Sequence, residues 1–221
     1  MIGVNTIAIK VCGMRDHQNI AQVAAFEPQY LGFIFYEKSP RFVGNDFVLP
    51  RELPSSIKKV GVFVNENNRV ILDKTRLLGL DFIQLHGNES PGQALQLKSE
   101  GLKIIKAFSI DNEFDFATTQ PYREAVNFFL FDTKGKYFGG NAKTFNWNVL
   151  ENYDQQMPFF LSGGLSAENV RDVQRLSKLN IHALDLNSGV EDRPGLKSIT
   201  KLRALLDELH GTSDESININ T

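Results

Sequence analysis

Eight short runs rich in β-branched and aromatic residues recur along the chain, at 7–11, 30–35, 59–64, 82–85, 103–108, 128–131, 158–161 and 181–186. Stretches of helical periodicity lie between most of them, at a spacing of roughly 20 to 30 residues, the expected size of a βα unit. Strands alternating with helices call for a parallel sheet covered by helices. With eight units, no linker and no shift of composition, the simplest architecture is an α/β fold made of one (β/α)8 TIM barrel over residues 1–210. The competing doubly wound sheet would carry a Gly-x-Gly-x-x-Gly turn after the first strand, and Cys12-Gly13 is not one. Residues 211–221 form a polar tail with little to bury, expected to fray.

The helices are unevenly signalled. Asp16 can cap a first helix running to Phe26, 46–53 is a weak second candidate, and 65–78 is amphipathic with Gly79 as its terminator. A helix at 90–99 ends before Gly101, whereas Pro121 interrupts 111–124. Short helices are expected at 145–153 and at 166–176, the latter capped by Ser166, and a last one at 195–210.

Composition narrows the partners. A formal net charge of -2 and a pI near 6.1 give no electrostatic footprint for nucleic acid or an anionic membrane. The chain has no apolar run long enough to span a bilayer, and its first ten residues lack the pattern of a signal peptide, so a soluble cytoplasmic protein is expected. The single cysteine, Cys12, permits no internal disulfide and no cysteine metal cluster. No His or carboxylate stands at metal-ligand spacing from His86, so no metal is assigned.

In a barrel of this kind, reacting groups gather at the C-terminal ends of the strands. Chemically capable residues fall there: Cys12 after strand one, Gln84 and His86 after strand four, Asp132 after strand six, Gly163 and Gly164 after strand seven, and Asp185, Ser188 and Gly189 after strand eight. A lone cysteine is more often a small buried hydrophobe than a catalyst. Lys10, two residues earlier on the same face, would favour its thiolate. Asp132 closes an apolar run and opens a loop with Gly135, Gly139 and Gly140, the anatomy of a catalytic loop; its neighbours Phe129 and Phe131 would help preserve an acid form. Arg41, in the long loop after strand two, is either a solvated charge or a fork for a substrate carboxylate. Loops after strands seven and eight commonly build a phosphate site from backbone N–H groups and a helix N-terminus, which gives Gly163, Gly164, Ser188 and Gly189 that role. His86 can be a base, a ligand contact or a satisfied strand-end histidine, the last being commonest. Phe145 and Trp147 are packing residues on the simplest view.

Several of these segments, in order, resemble the phosphoribosylanthranilate isomerase family: Lys10-Val11-Cys12-Gly13, Gly32-Phe33-Ile34-Phe35-Tyr36 with Lys38-Ser39-Pro40-Arg41, Gly61-Val62-Phe63-Val64-Asn65, Gln84-Leu85-His86-Gly87, the stretch from Phe128 through Trp147, Leu161-Ser162-Gly163-Gly164-Leu165, and Ser188-Gly189-Val190-Glu191 with Pro194-Gly195. The resemblance implies a cofactor-free Amadori rearrangement in tryptophan biosynthesis, with Asp132 as general acid, Cys12 as general base, Arg41 on the anthranilate carboxylate and the two glycine-rich loops on the phosphate. It implies a phosphorylated small-molecule substrate, and a monomer is favoured over a homodimer. The sequence departs from the family's pattern at Met14-Arg15, Asn141-Ala142 and Asn187, none of them a proposed catalytic group. Two alternatives stand beside it, an indole-glycerol-phosphate synthase-like enzyme and a non-catalytic barrel that binds a phosphorylated metabolite. The first is disfavoured by the absence of that family's lysine and glutamate motifs.

Overall fold

The computed structural model of the chain describes residues 7–133 and 146–211. The glycine-rich loop at 134–145, with Gly135, Gly139, Gly140, Ala142 and Phe145, and the tail at 212–221 lie outside the described residues. Eight parallel strands close into a barrel in sequence order: β1 (Ala8–Val11), β2 (Tyr30–Ile34), β3 (Lys58–Phe63), β4 (Phe82–Leu85), β5 (Ile104–Ile110), β6 (Phe128–Thr133), β7 (Phe159–Leu161) and β8 (Ile181–Leu186). Strand β8 returns to β1, with Lys10 opposite Asp185 and Val11 opposite Leu186.

Four α-helices cover the sheet: α1 (His17–Ala24), α2 (Asn68–Leu78), α3 (Pro91–Ser99) and α4 (Ile199–His210). Their ends follow local chemistry. Asp16 accepts from the Asn19 N–H at the start of α1, Ser90 from Gln93 at the start of α3, and Gly79 closes α2 at φ 58°, a conformation that a Cβ disfavours. Three other connections wind as 3-10 helices, Phe116–Ala125, Trp147–Asn152 and Val170–Leu176. Pro121 sits inside the first, where the missing N–H and the ring's bulk forbid a regular α-helix.

Three expectations fail. Residues 46–53 form turns and irregular chain, since Pro50 and Pro54 break up a segment whose apolar side chains Phe47, Leu49 and Leu53 nonetheless pack on the core. Ser166 does not cap a helix; the Asn169 side chain reaches back instead, its Oδ1 accepting from the Ser166 N–H and its Nδ2 donating to the Gly164 carbonyl. The last helix starts at Ile199 behind the cap Ser198, because Glu191–Arg193 (β9) and Leu196–Lys197 (β10) pair first as a small antiparallel ribbon.

Strand alternation sorts the residues between two cores. One face of each strand packs under the helices, and Phe129, Phe131, Phe159 and Leu161 belong to that outer layer. The other face fills the barrel: Tyr30, Val60, Phe82, Ile105, Leu130 and Phe160 meet as one apolar cluster towards the N-terminal ends. Above it come the inward polar side chains Lys10, Gln84, Asp132 and Asp185, all buried. Trp147 is likewise buried against the outer core. Among the described residues no helix is long and apolar enough to cross a membrane.

Candidate active site

A cleft opens at the C-terminal ends of the strands, where the sequence placed the reacting groups. Cys12, Arg41, Gln84, His86, Asp132 and Asp185 line it, and so do Gly163, Gly164, Ser188 and Gly189. Of the candidate site residues assigned to this face, all but Lys10 are at the wall. Lys10 lies beneath, fully buried, with its Nζ 2.8 Å from Asp185 Oδ1.

Cys12 follows β1 and is fixed by its backbone, whose N–H donates to the Leu186 carbonyl at 2.8 Å. Room for its thiol comes from β2: a Cβ on Gly32 would lie 2.6 Å from Cys12 Sγ, so only glycine fits there. Burial pushes the Cys12 thiol up from its ordinary value, and the cations of Lys10 and Lys197 offset this only in part. Desolvation thus works against the thiolate that Lys10, already paired with Asp185, would favour. For Lys10 itself burial works to lower the pKa, but Asp185 and Cys12 more than compensate, and it stays charged.

Asp132 lies on β6, separated from Cys12 around the barrel by β7 and β8. Its Oδ1 accepts the Thr133 N–H at 2.9 Å, and its Oδ2 lies 3.5 Å from Nε2 of His86. The Gln84 amide nitrogen meets Nδ1 of that histidine at 2.6 Å. His86 is thus not a fully satisfied strand-end histidine, for among the described residues its buried Nε2 finds no hydrogen-bond partner. Nor do Phe129 and Phe131 surround Asp132. They flank it in sequence, but Phe129, Phe131 and the carboxylate cannot share a face when side chains alternate, and the two rings lie in the outer core.

Arg41 is neither solvated nor an open fork. The loop after β2 doubles back so that the Val43 N–H donates to the Ile34 carbonyl at 3.1 Å, which turns Arg41 inward. Its Nε and Nη2 bind Glu191 at 3.0 and 2.6 Å. Glu191 also accepts from Lys197 Nζ at 2.7 Å and from the Gly195 N–H at 3.0 Å. Burial would raise the Glu191 carboxyl, yet its bonds to Arg41 and Lys197 prevail and hold it low; Lys197, almost wholly buried, is pulled down to about 8 despite Glu191. This Arg41–Glu191–Lys197 cluster was not foreseen. Its partners lie 150 positions apart, and the sole hint was a carboxylate in a glycine-rich strand-end loop.

The loops after β7 and β8 press together. Gly163 and Gly164 take φ of 98° and 68°, and a Cβ on Gly189 would run into the Leu165 carbonyl. No α-helix N-terminus stands behind them, since the segments that follow are the 3-10 helix Val170–Leu176 and the 3-10 turn Ser188–Val190. A phosphate here would be met by loop N–H groups instead.

A family model described as N-(5'phosphoribosyl)anthranilate (PRA) isomerase matches residues 9–208. The chain belongs to the phosphoribosylanthranilate isomerase family. One family member, N-(5'-phosphoribosyl)anthranilate isomerase of Parabacteroides distasonis, is 44% identical over 204 residues, covering 91% of this chain and 92% of its own. Among solved structures of the family, the enzyme from Thermotoga maritima is 32% identical with a TM-score of 0.80, covering 93% of this chain and 99% of that one. A second, described as in complex with reduced 1-(o-carboxyphenylamino)-1-deoxyribulose 5-phosphate, is 30% identical with a TM-score of 0.78 at the same coverage of 93% and 99%. Family membership favours the isomerase over both the synthase-like and the non-catalytic alternatives.

Proposed function

We propose that the chain is the isomerase that converts N-(5-phosphoribosyl)anthranilate to 1-(2-carboxyphenylamino)-1-deoxyribulose 5-phosphate in tryptophan biosynthesis, by an Amadori rearrangement that needs no cofactor. The observation that carries this reading is the meeting of one thiol and one carboxyl, Cys12 and Asp132, in a cleft bordered by Arg41 and two glycine-rich loops.

Asp132 protonates the furanose ring oxygen as its bond to C1 breaks, and the anilino nitrogen supplies the electron pair that makes the open-chain iminium. Cys12, as thiolate, then removes the C2 proton, and the released pair forms the C1–C2 double bond of the enolamine. On collapse to the ketone, C1 takes a proton from the Cys12 thiol and the enol proton returns to Asp132. Both groups end as they began, as an isomerisation requires. Lys10 and Lys197 favour the thiolate that this sequence needs, and a thiolate of raised pKa is the stronger base.

Nη1 of Arg41, which the pair with Glu191 does not use, is the donor we assign to the anthranilate carboxylate. Gly163, Gly164, Ser188 and Gly189 are assigned to the phosphate, while Gln84, His86 and Asp185 complete the wall. A working monomer is part of the proposal; light scattering near 24.9 kDa agrees with it, and twice that mass would not. The cytoplasm is the proposed compartment, in keeping with a thiol that must stay reduced. The activity is tested by generating phosphoribosylanthranilate in situ and following the loss of its fluorescence. Turnover above the enzyme-free rate is expected, and its absence would overturn the assignment.

A further inference from the structure

We propose that His86 is a positioning residue for Asp132: held by Gln84 with its proton on Nε2, it donates to Asp132 Oδ2, aims the carboxyl and stabilises the carboxylate left after proton transfer. The inference rests on the isomerase reading for the acid role of Asp132, and on the geometry for everything else.

Residues 84 and 86 are two apart at the end of β4, so both side chains face into the barrel. The His86 backbone is anchored by its N–H on the Phe63 carbonyl at 2.8 Å. The Gln84 amide nitrogen meets Nδ1 at 2.6 Å; in this amide orientation the nitrogen donates, Nδ1 accepts, and the ring proton belongs on Nε2, which is the tautomer we infer. The nearest Asp132 carboxylate oxygen, Oδ2, lies 3.5 Å from Nε2. Both side chains are buried, and among the described residues Nε2 has no hydrogen-bond partner, a state that normally costs free energy. Catalytic hydrogen bonds are often long before substrate binds and tighten in the reacting complex, which gives this arrangement a reason to persist.

The same geometry argues against His86 as a base or a substrate ligand. With Nδ1 occupied by Gln84 and Nε2 buried 3.5 Å from Asp132 Oδ2, this reading leaves neither ring nitrogen for the substrate. The Thr133 N–H already serves Oδ1, so the two oxygens of Asp132 would each accept one fixed donor. Each oxygen has a second lone pair, where the catalytic proton can sit.

Two readouts test this. The chain has four histidines, so ¹⁵N spectra of histidine-labelled protein, assigned with His86→Gln, resolve its tautomer without any turnover. The Nε2–H form is expected in the wild type; the Nδ1–H form overturns the proposal even if the enzyme is active, whereas an inactive wild type with the Nε2–H form faults the isomerase reading alone. In kinetics, His86→Leu should lower kcat by about 10- to 100-fold, the worth of a hydrogen bond to a charged group, with KM within about threefold. His86→Gln keeps an N–H near the Nε2 position and should recover most of that loss. In an Asp132→Asn background His86→Leu should cost nothing further. Circular dichroism and a thermal midpoint accompany each variant. A raised KM at unchanged kcat, an unchanged enzyme, or a folded His86→Gln as slow as His86→Leu would each contradict the positioning role.

Discussion

The barrel interior has two halves built by the same strands. Towards the N-terminal ends, Tyr30, Val60, Phe82, Leu130 and Phe160 form an apolar plug, in which even His182 is stacked on Phe128 and bonded to the Tyr30 hydroxyl. Towards the C-terminal ends, the same inward alternation brings Lys10, Cys12, Gln84, Asp132 and Asp185 together, buried but polar. Leu130 and Asp132 are two residues apart on one strand and belong to different regimes. The lower half gains free energy by leaving water, while the upper half gives some up to hold ionisable groups where substrate can reach them. Stability and chemistry should therefore separate along each strand.

The largest separation should come from the upper half. Cys12→Ser and Asp132→Asn are each expected to lower kcat by about 10²- to 10⁴-fold, the usual worth of a general acid or base, and to shift the urea midpoint little. Loss of folding in step with activity would undo the contrast. In the lower half, Phe160→Ala should do the reverse. It removes a ring packed on Tyr30, Phe128 and His182, and a loss of about 3–5 kcal/mol in unfolding free energy is expected with kcat of the folded fraction nearly unchanged.

A smaller effect concerns the pH dependence of stability. The folded pKa of Cys12 is raised above its ordinary value of 9.0, so the folded chain holds this proton longer than the unfolded chain does. The resulting stabilisation is complete below that value and is lost as pH rises through the folded pKa. Urea midpoints measured from about pH 8 upwards should fall faster for the wild type than for Cys12→Ser, which has no thiol to titrate. Parallel curves would mean that burial does not govern the thiol.

The two halves were not equally legible. Strand positions were, because β-rich runs between breaks survive in any context; runs 82–85 and 181–186 match β4 and β8 end to end. Helices were less so, since 3-10 winding at Phe116–Ala125 and Val170–Leu176 depends on a proline inside one and on how Asn169 stitches its own loop in the other. Strand-end position picked out Cys12 and Asp132, but their surroundings come from distant segments. Arg41 meets Glu191 and His86 meets Asp132 only when the barrel closes, and period-two alternation sends Phe129 and Phe131 away from the carboxylate they adjoin.

The division of labour between Asp132 and Cys12 can be read directly by trapping the open-chain iminium with cyanoborohydride while phosphoribosylanthranilate is supplied. Cys12→Ser can still open the ring but cannot take the C2 proton, so it should yield the reduced open-chain amine faster than the enzyme-free reaction does. Asp132→Asn should yield it only at the enzyme-free rate. Trapping in Asp132→Asn at or above the rate seen with Cys12→Ser would contradict the assignment of acid and base.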